Sequence, residues 1–224
     1  MILENLHDVL RRMDAAACRA GRDPSQLRLV AVTKTAPPEA VRELAQSGEV
    51  RDIGESRVQD AARKKGALQG LQVRWRLIGH LQTNKVKQAL ETFDAVDSLD
   101  SLHLAERLEE RLSETGRELP VLVQVKLTER ETQYGIAPEE AEGFLAAVRK
   151  FGRLKVQGLM GIAPMADPAE AVRPSFKRLK ELFDRSFPEG GILSMGMSGD
   201  FEIAIEEGAN MVRVGSALFE QATV

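Results

Sequence analysis

The chain has 224 residues, of which 43% are hydrophobic and 29% are charged, as expected for an ordinary globular protein with a sizeable core. Its net charge of −3 argues against nucleic acid as the main partner, because binding to duplex phosphates requires clustered positive charge. No apolar segment approaches the roughly 20 residues that a transmembrane helix needs, so no membrane partner is expected.

The first predicted element is an amphipathic helix over about residues 2–20. Acidic residues interrupt its apolar positions, which is unlike a secretory signal or a transit peptide, so the expected location is the cytoplasm. Cys18 lies in this helix and is the only cysteine, which excludes an intrachain disulfide and a thiolate metal cluster. We expect Cys18 to behave as a small buried hydrophobic residue.

Strand and helix patterns alternate along the rest of the chain. Helical patterns begin near Pro38, Leu102 and Pro138, and a further long helix is predicted over residues 169–186. Eight short aliphatic runs are strand candidates, and no linker or low-complexity segment divides them. They cover residues 27–32, 51–53, 74–78, 93–96, 121–125, 154–158, 192–193 and 211–214.

This alternation predicts an α/β fold with parallel strands and right-handed crossovers. Eight strand–helix units fit a closed barrel. An open doubly wound sheet is the alternative, but no G-x-G-x-x-G motif follows the first strand. We therefore predict that residues 1–224 form a single domain, a (β/α)8 TIM barrel with an extra N-terminal helix.

Small residues follow the last two predicted strands. Ser198 and Gly199 come after the seventh strand and open a helical pattern, and Gly215 and Ser216 come directly after the eighth. Small residues let backbone N–H groups approach a ligand, and the start of a helix adds partial positive charge. Because turns after the last two strands of a barrel are a common phosphate site, these turns predict a phosphate-bearing ligand.

Two basic residues are predicted at the same mouth of the barrel. Lys34 follows the first strand, where its ammonium would be poorly solvated, and a neutral amine can form a Schiff base with a carbonyl. Arg213 interrupts the otherwise apolar eighth strand, where a charge needs a partner. The first and last strands are neighbours in a closed barrel, so the two side chains should approach each other. The structural alternatives are a Lys34 that only extends into solvent and an Arg213 salt bridge to Glu55 or Asp97.

An amine, a phosphate cradle and an arginine together describe a site for pyridoxal 5′-phosphate. Six ordered segments carry a resemblance to a known family: VAVTKT (30–35), IGES (53–56), IGHLQTNK (78–85), GLM (158–160), SMGMSGDF (194–201) and VRVGSALF (212–219). With them the chain resembles the YggS/PROSC family of pyridoxal-phosphate homeostasis proteins over nearly its whole length. The resemblance implies a barrel like the N-terminal domain of alanine racemase.

The resemblance also implies roles for particular residues. Lys34 would hold the cofactor as an internal aldimine, and Arg213 would face the pyridine nitrogen. The residues that match the phosphate-binding segments are Ser198, Gly199, Gly215 and Ser216.

Three positions depart from the family pattern. Ser56 stands where asparagine is usual, which puts an amide contact to the cofactor in question. Arg76 stands where histidine is common, and Gly161 replaces a frequent threonine.

The site chemistry favours a binding protein over an enzyme. Arginine keeps its proton, so the pyridine nitrogen facing Arg213 should stay unprotonated and the ring should be a weak electron sink. Racemisation also needs acid–base groups on both faces of the substrate carbon, and alanine racemase-like enzymes take the second from a further domain that the sequence does not show. We expect no robust catalysis.

The leading hypothesis is a monomeric binder that buffers pyridoxal phosphate inside the cell. Apo-enzymes that use the cofactor and free amino acids are its candidate partners. The first alternative is an amino-acid racemase of low activity. The second is an aldolase that forms a Schiff base between Lys34 and a sugar phosphate.

Other polar residues are interpreted as structural. Thr83 is predicted to cap the next helix, and Tyr134 to pack beside Gly135 at the entrance to a helix. His80 follows the third strand, and a direct contact between His80 and the cofactor is the less favoured alternative. A racemase base in the loop of Tyr134 is the alternative. Residues 63–65 and the acidic residues of 202–207 are interpreted as solvated helix faces. The three histidines are too scattered to predict a metal site.

Overall fold

A computed structural model describes residues 1–128, 133–164 and 166–220 of the chain. Eight parallel strands form a closed barrel and pair in sequence order, with the last strand beside the first. The strands are β1 (Arg28–Val32), β2 (Asp52–Glu55), β3 (Arg74–Leu77), β4 (Ala95–Leu99), β5 (Leu119–Lys126), β6 (Leu154–Ile162), β7 (Ile192–Ser194) and β8 (Met211–Val214). The predicted (β/α)8 barrel is confirmed, and the open doubly wound sheet is wrong.

Helices surround the barrel and also precede it. They are α1 (Ile2–Arg19), α2 (Pro38–Gln46), α3 (Val58–Ala67), α4 (Val86–Thr92), α5 (Leu102–Thr115), α6 (Ala141–Val148), α7 (Arg173–Ser186), α8 (Phe201–Glu206) and α9 (Ser216–Phe219). Short 3-10 turns precede α4, α6 and α7. The extra N-terminal helix is confirmed: α1 packs on α2, α8 and α9 at the seam where the barrel closes.

Helix α1 buries one face against the barrel and leaves the other in solvent. Its buried residues are Leu6, Val9, Met13, Ala16 and Ala17. Cys18 is exposed, so the prediction of a buried cysteine is wrong. Each residue turns an α-helix by about 100°, which takes Cys18 beyond the buried stripe that ends at Ala17.

The connection between β3 and α4 also differs from the prediction. Thr83 begins a 3-10 turn, Thr83–Lys85, and α4 begins only at Val86, without a hydrogen bond from a capping side chain. The predicted Thr83 cap is therefore wrong. The fourth strand begins later than predicted because the Phe93 N–H donates to the Ala89 carbonyl oxygen at the end of α4, at 2.8 Å.

The apolar core has two parts, one between the barrel and its helices and a smaller one within the barrel. The smaller cluster consists of Val30, Leu122, Met160, Ile192 and Met211. Val30 is in register with Arg213, and registered neighbours in a sheet share a face, so Arg213 also points into the barrel. Among the described residues, no helix combines the length and apolar composition that crossing a bilayer requires.

Candidate functional site

A cavity of about 680 Å³ opens at the carboxyl ends of the barrel strands. It brings together all the residues predicted for the site: Lys34, Ser198, Gly199, Arg213, Gly215 and Ser216. Lys34 and Arg213 come from neighbouring strands, as the closed topology predicts. Sequence reasoning missed two acidic residues of the lining, Asp200 and Glu220, and the small residues that follow β6.

The turns after β7 and β8 are joined by one hydroxyl. The Ser198 Oγ accepts hydrogen bonds from the backbone N–H groups of Gly215, at 3.2 Å, and Ala217, at 3.3 Å. The two turns are thereby held as one unit. Within the part of the chain that the structure describes, the backbone N–H groups of Ser198, Gly199 and Ser216 have no hydrogen-bond partner.

These unpaired N–H groups can donate hydrogen bonds to an anion at the two turns. The helices that follow have only six residues in α8 and four in α9, so the helix dipoles that the sequence suggested add little. Asp200 supports the first turn, because its Oδ1 accepts a hydrogen bond from the Met197 N–H at 2.6 Å. Burial raises the pKa of Asp200, although the Met197 N–H and the Arg213 charge act in the opposite direction.

Arg213 is buried and held by neutral partners. Its Nη1 donates to Ser194 Oγ at 2.8 Å, and its Nη2 donates to the carbonyl oxygen of Gly161 at 2.9 Å. Its Nε has no partner among the described residues. Burial lowers the pKa of Arg213 to about 10, while the charges of Asp97 and Asp200 act in the opposite direction.

The predicted alternative of a salt bridge from Arg213 to Glu55 or Asp97 is wrong. Glu55 is paired with Lys64 at 2.7 Å, and Asp97 is paired with Arg76 at 2.7 Å. Both carboxylates therefore already have a partner, which leaves the guanidinium edge of Arg213 available at the cavity wall.

Gly161 lies in a tightly packed place. A Cβ atom at this position would lie 2.5 Å from Leu179 Cδ2 and 2.8 Å from Leu127 Cδ1. A threonine at this position would therefore require both leucines to move. Glycine, which has no Cβ atom, fits beside these two leucines without displacing them.

Lys34 lies in the turn after β1 and has no hydrogen bond or ion pair with a described residue. Its side chain is exposed, so the prediction of a poorly solvated ammonium is wrong. The reason is that the strand ends at Val32 and Thr33 is the last buried residue before the turn. Lys34 is therefore distinguished by its lack of partners among the described residues and not by burial.

A buried ion-pair network lies inside the barrel. Arg76 donates from Nε and Nη2 to the two carboxylate oxygens of Asp97, at 2.8 and 2.7 Å, and from Nη1 to Asp52 at 3.4 Å. Burial lowers the pKa of Arg76, but the carboxylates of Asp97 and Asp52 outweigh this effect and raise it. All three guanidinium nitrogens of Arg76 thus have a carboxylate partner.

His80 and Tyr134 form a stacked pair outside the cavity lining. Their ring centroids are 3.8 Å apart with an interplanar angle of 10°, and His80 Nδ1 lies 3.2 Å from Asp100 Oδ2. Neither ring belongs to the described lining of the cavity. The prediction that Tyr134 packs beside Gly135 is wrong, because its ring stacks on His80 and is 54% exposed.

The two charged helix faces are not simply solvated. The acidic residues join α8 to α1 and α7 through ion pairs: Glu202 with Arg12, Glu206 with Arg19 and Arg173, and Glu207 with Arg173. In the basic segment, Lys64 and Lys65 both donate to backbone carbonyl oxygens. Among the described residues, no group of three or more His, Cys, Asp or Glu side chains is placed to hold a metal ion.

Comparison with known proteins matches nearly the whole chain. Residues 4–222 match the family model of the alanine racemase N-terminal domain. The pyridoxal phosphate homeostasis protein of Aquifex aeolicus (strain VF5) is 40% identical over 220 residues, which are 96% of this chain and 96% of that protein.

Solved structures of other proteins are also similar to this chain over nearly its whole length. PipY of Synechococcus elongatus PCC7942, solved with PLP bound, is 32% identical with a TM-score of 0.83, and the match covers 98% of this chain and 100% of PipY. Alanine racemase of Clostridium difficile 630 is similar in fold, with 17% identity, a TM-score of 0.75 and coverage of 99% of this chain but 58% of the racemase. The chain therefore belongs to the family of pyridoxal phosphate homeostasis proteins, which have the fold of the alanine racemase N-terminal domain.

Proposed function

We propose that the protein binds pyridoxal 5′-phosphate through Lys34 and acts in the homeostasis of this cofactor, without sustained turnover of an amino acid. The observation that carries the proposal is one cavity that holds a free amine, unpaired backbone N–H groups and a buried arginine. The names of its relatives and the PLP bound to PipY support it. We further propose that residues 1–224 act as one monomeric unit in the cytoplasm, with apo-enzymes and free amino acids as partners.

The cavity fits the cofactor in size and in chemistry. Its volume of about 680 Å³ lies within the usual range for small-molecule sites. A Cβ atom built on Gly199 meets nothing within 4 Å, so there is room beside the unpaired N–H groups for a phosphate. We propose that Ser198, Gly199, Gly215 and Ser216 hold the phosphate.

The described residues support a protein that binds the cofactor more than an enzyme that uses it to turn over a substrate. Bound pyridoxal phosphate supplies an aldehyde that can condense with an amine. Arg213, with a pKa of about 10, keeps its proton at neutral pH and can only donate towards a ring nitrogen. No histidine or tyrosine of the described residues lines the cavity, so a second acid–base residue of the racemase kind is not supported.

The proposal is tested by borohydride reduction of the protein with its cofactor, followed by peptide mapping. We expect reduced pyridoxal on Lys34, a visible Schiff-base absorption band before reduction, and release of the cofactor to an apo-enzyme. In deuterium oxide, alanine and serine should keep their α-protons. Steady exchange of those protons would favour the racemase, and a sugar phosphate trapped on Lys34 would favour the aldolase.

We expect Gly199→Val to weaken the binding of pyridoxal phosphate by about 10-fold or more, because the added methyl groups enter the phosphate space and block the N–H donors. The backbone of Gly199 does not have positive φ and its Cβ direction is open, so the unfolding temperature should barely change. Titration with pyridoxal, which lacks the phosphate, is the control and should be nearly unaffected. Equal losses for both ligands would show that this turn does not bind phosphate.

A further inference from the structure

Lys64 of α3 reaches inward from a segment that the sequence suggested was solvated. Its side chain is only 13% exposed, and its Nζ donates to Glu55 Oε1 at 2.7 Å. The same ammonium donates to the carbonyl oxygen of Thr33. Lys64 therefore connects a buried carboxylate of β2 with the backbone at the end of β1.

Thr33 is the residue directly before Lys34, and its carbonyl oxygen and its hydroxyl group both form hydrogen bonds. Its carbonyl oxygen accepts from Lys64, and its Oγ1 donates to Glu55 Oε1 at 2.6 Å. Thr33 and Glu55 are almost completely buried. The backbone that carries Lys34 is thus fixed, while the Lys34 side chain itself stays without a partner among the described residues.

The two lysines are close neighbours. Lys34 and Lys64 line one surface depression together with Pro38, Asp60 and Arg63, and Lys34 also lines the main cavity. Arg63 is paired with Asp60 at the surface. Lys64 is therefore the cation that neutralises Glu55, and Lys34 is the adjacent amine that is left free.

We infer that Lys64 is a positioning residue that occupies the buried carboxylate of Glu55 and so keeps the amine of Lys34 available to the cofactor. A buried carboxylate that loses its cation is costly and recruits another. Without Lys64, Glu55 would attract the ammonium of Lys34 into an ion pair. The inference rests on the proposed function.

The reason lies in the chemistry of Schiff-base formation. The neutral amine of Lys34 adds to the aldehyde carbon, a C=N bond forms, and the carbonyl oxygen leaves as water with the two amine protons. An ammonium cannot attack, so an ion pair with Glu55 would slow the step. The charged groups that line the main cavity or the surface depression together with Lys34 are Asp60, Arg63 and Lys64 of α3, Asp200 after β7, Arg213 of β8 and Glu220 after α9, and Glu55 of β2 is joined to this set through its ion pair with Lys64.

The experiment measures how fast pyridoxal phosphate becomes attached to Lys34, at pH values about two units on either side of pH 8. The attached cofactor is trapped with borohydride, and the modified peptide is identified by mass. Lys64→Met should lower the rate at neutral pH about 10-fold and move the midpoint of the pH profile upward by about one unit or more, because an opposite charge then favours the ammonium. Lys65→Met is the matched control, since Lys65 lies on the same helix but donates to the carbonyl oxygen of Thr92, and it should leave the profile unchanged.

The double variant Lys64→Met/Glu55→Gln gives the decisive comparison. Removing the carboxylate removes the competitor for Lys34, so the midpoint of the pH profile should return towards the wild-type value. If Lys64→Met does not fold, Lys64→Gln, which keeps a neutral hydrogen-bond donor, should show the same upward shift. A lower unfolding temperature with an unmoved midpoint, or a double variant without recovery, would overturn the inference.

Failure of the inference and failure of the proposed function are distinguishable. Each variant is also labelled with acetic anhydride in the absence of cofactor, and the acetylation of Lys34 is measured by mass. Slower labelling of Lys34 in Lys64→Met, restored in the double variant, would support the inference even if the wild-type protein bound no pyridoxal phosphate. Equal labelling of Lys34 in all variants would overturn it whatever the cofactor does.

Discussion

Lys34→Ala should abolish covalent attachment of pyridoxal 5′-phosphate and leave the fold intact. Among the described residues, Lys34 is the only lysine that lines the cavity, so no other amine there can reach the aldehyde. Its side chain is exposed and makes no hydrogen bond or ion pair with a described residue, so the free energy of unfolding should change by less than about 0.5 kcal/mol. The cofactor should still bind reversibly and more weakly through the phosphate turns.

The measurement compares the visible absorption spectrum and the borohydride-trapped mass of Lys34→Ala with those of the wild-type protein. Lys150→Ala is the matched control, because Lys150 is also exposed but follows α6 away from the cavity lining. This control should keep the Schiff-base band. Reduced pyridoxal on a different lysine in Lys34→Ala would contradict the assignment of the site.

The fold could be predicted because its signals are local. Each strand is a short aliphatic run, each helix has its own periodicity, and the order of the two dictates a parallel barrel. The neighbourhood of Lys34 and Arg213 then follows from closure alone, since β1 must lie beside β8. The glycine and serine turns followed from the same topology.

The partners of the polar side chains could not be predicted, because they depend on packing between distant segments. Arg76 meets Asp97 across neighbouring strands, and Arg12 meets Glu202 from the opposite end of the chain. The inward direction of the Lys64 side chain could not be predicted either, since the sequence of its basic segment is typical of a solvated helix face. Sequence patterns locate an element, whereas the tertiary structure decides which groups meet.

Asp97→Ala should lower the free energy of unfolding by about 3–5 kcal/mol, because it leaves the buried guanidinium of Arg76 without its main partner. Asp52 cannot replace Asp97, since it lies 3.4 Å from Arg76 and also pairs with Arg74 at 2.7 Å. The substitution also removes a charge that opposes the effect of burial on the pKa of Arg213. Urea unfolding checks the prediction, with an unchanged dependence on urea concentration expected.

The double variant Arg76→Met/Asp97→Ala separates the cost of an unpaired charge from the value of the pair. Methionine is close to arginine in volume and needs no charged partner, so this protein should be more stable than Asp97→Ala, although it has lost both charges. Glu114→Ala is the surface control: it breaks the exposed pair with Arg111 and should cost less than about 1 kcal/mol, because water already solvates both groups. A cost for Asp97→Ala as small as that of Glu114→Ala would mean that water reaches Arg76 and that the barrel interior does not isolate the pair.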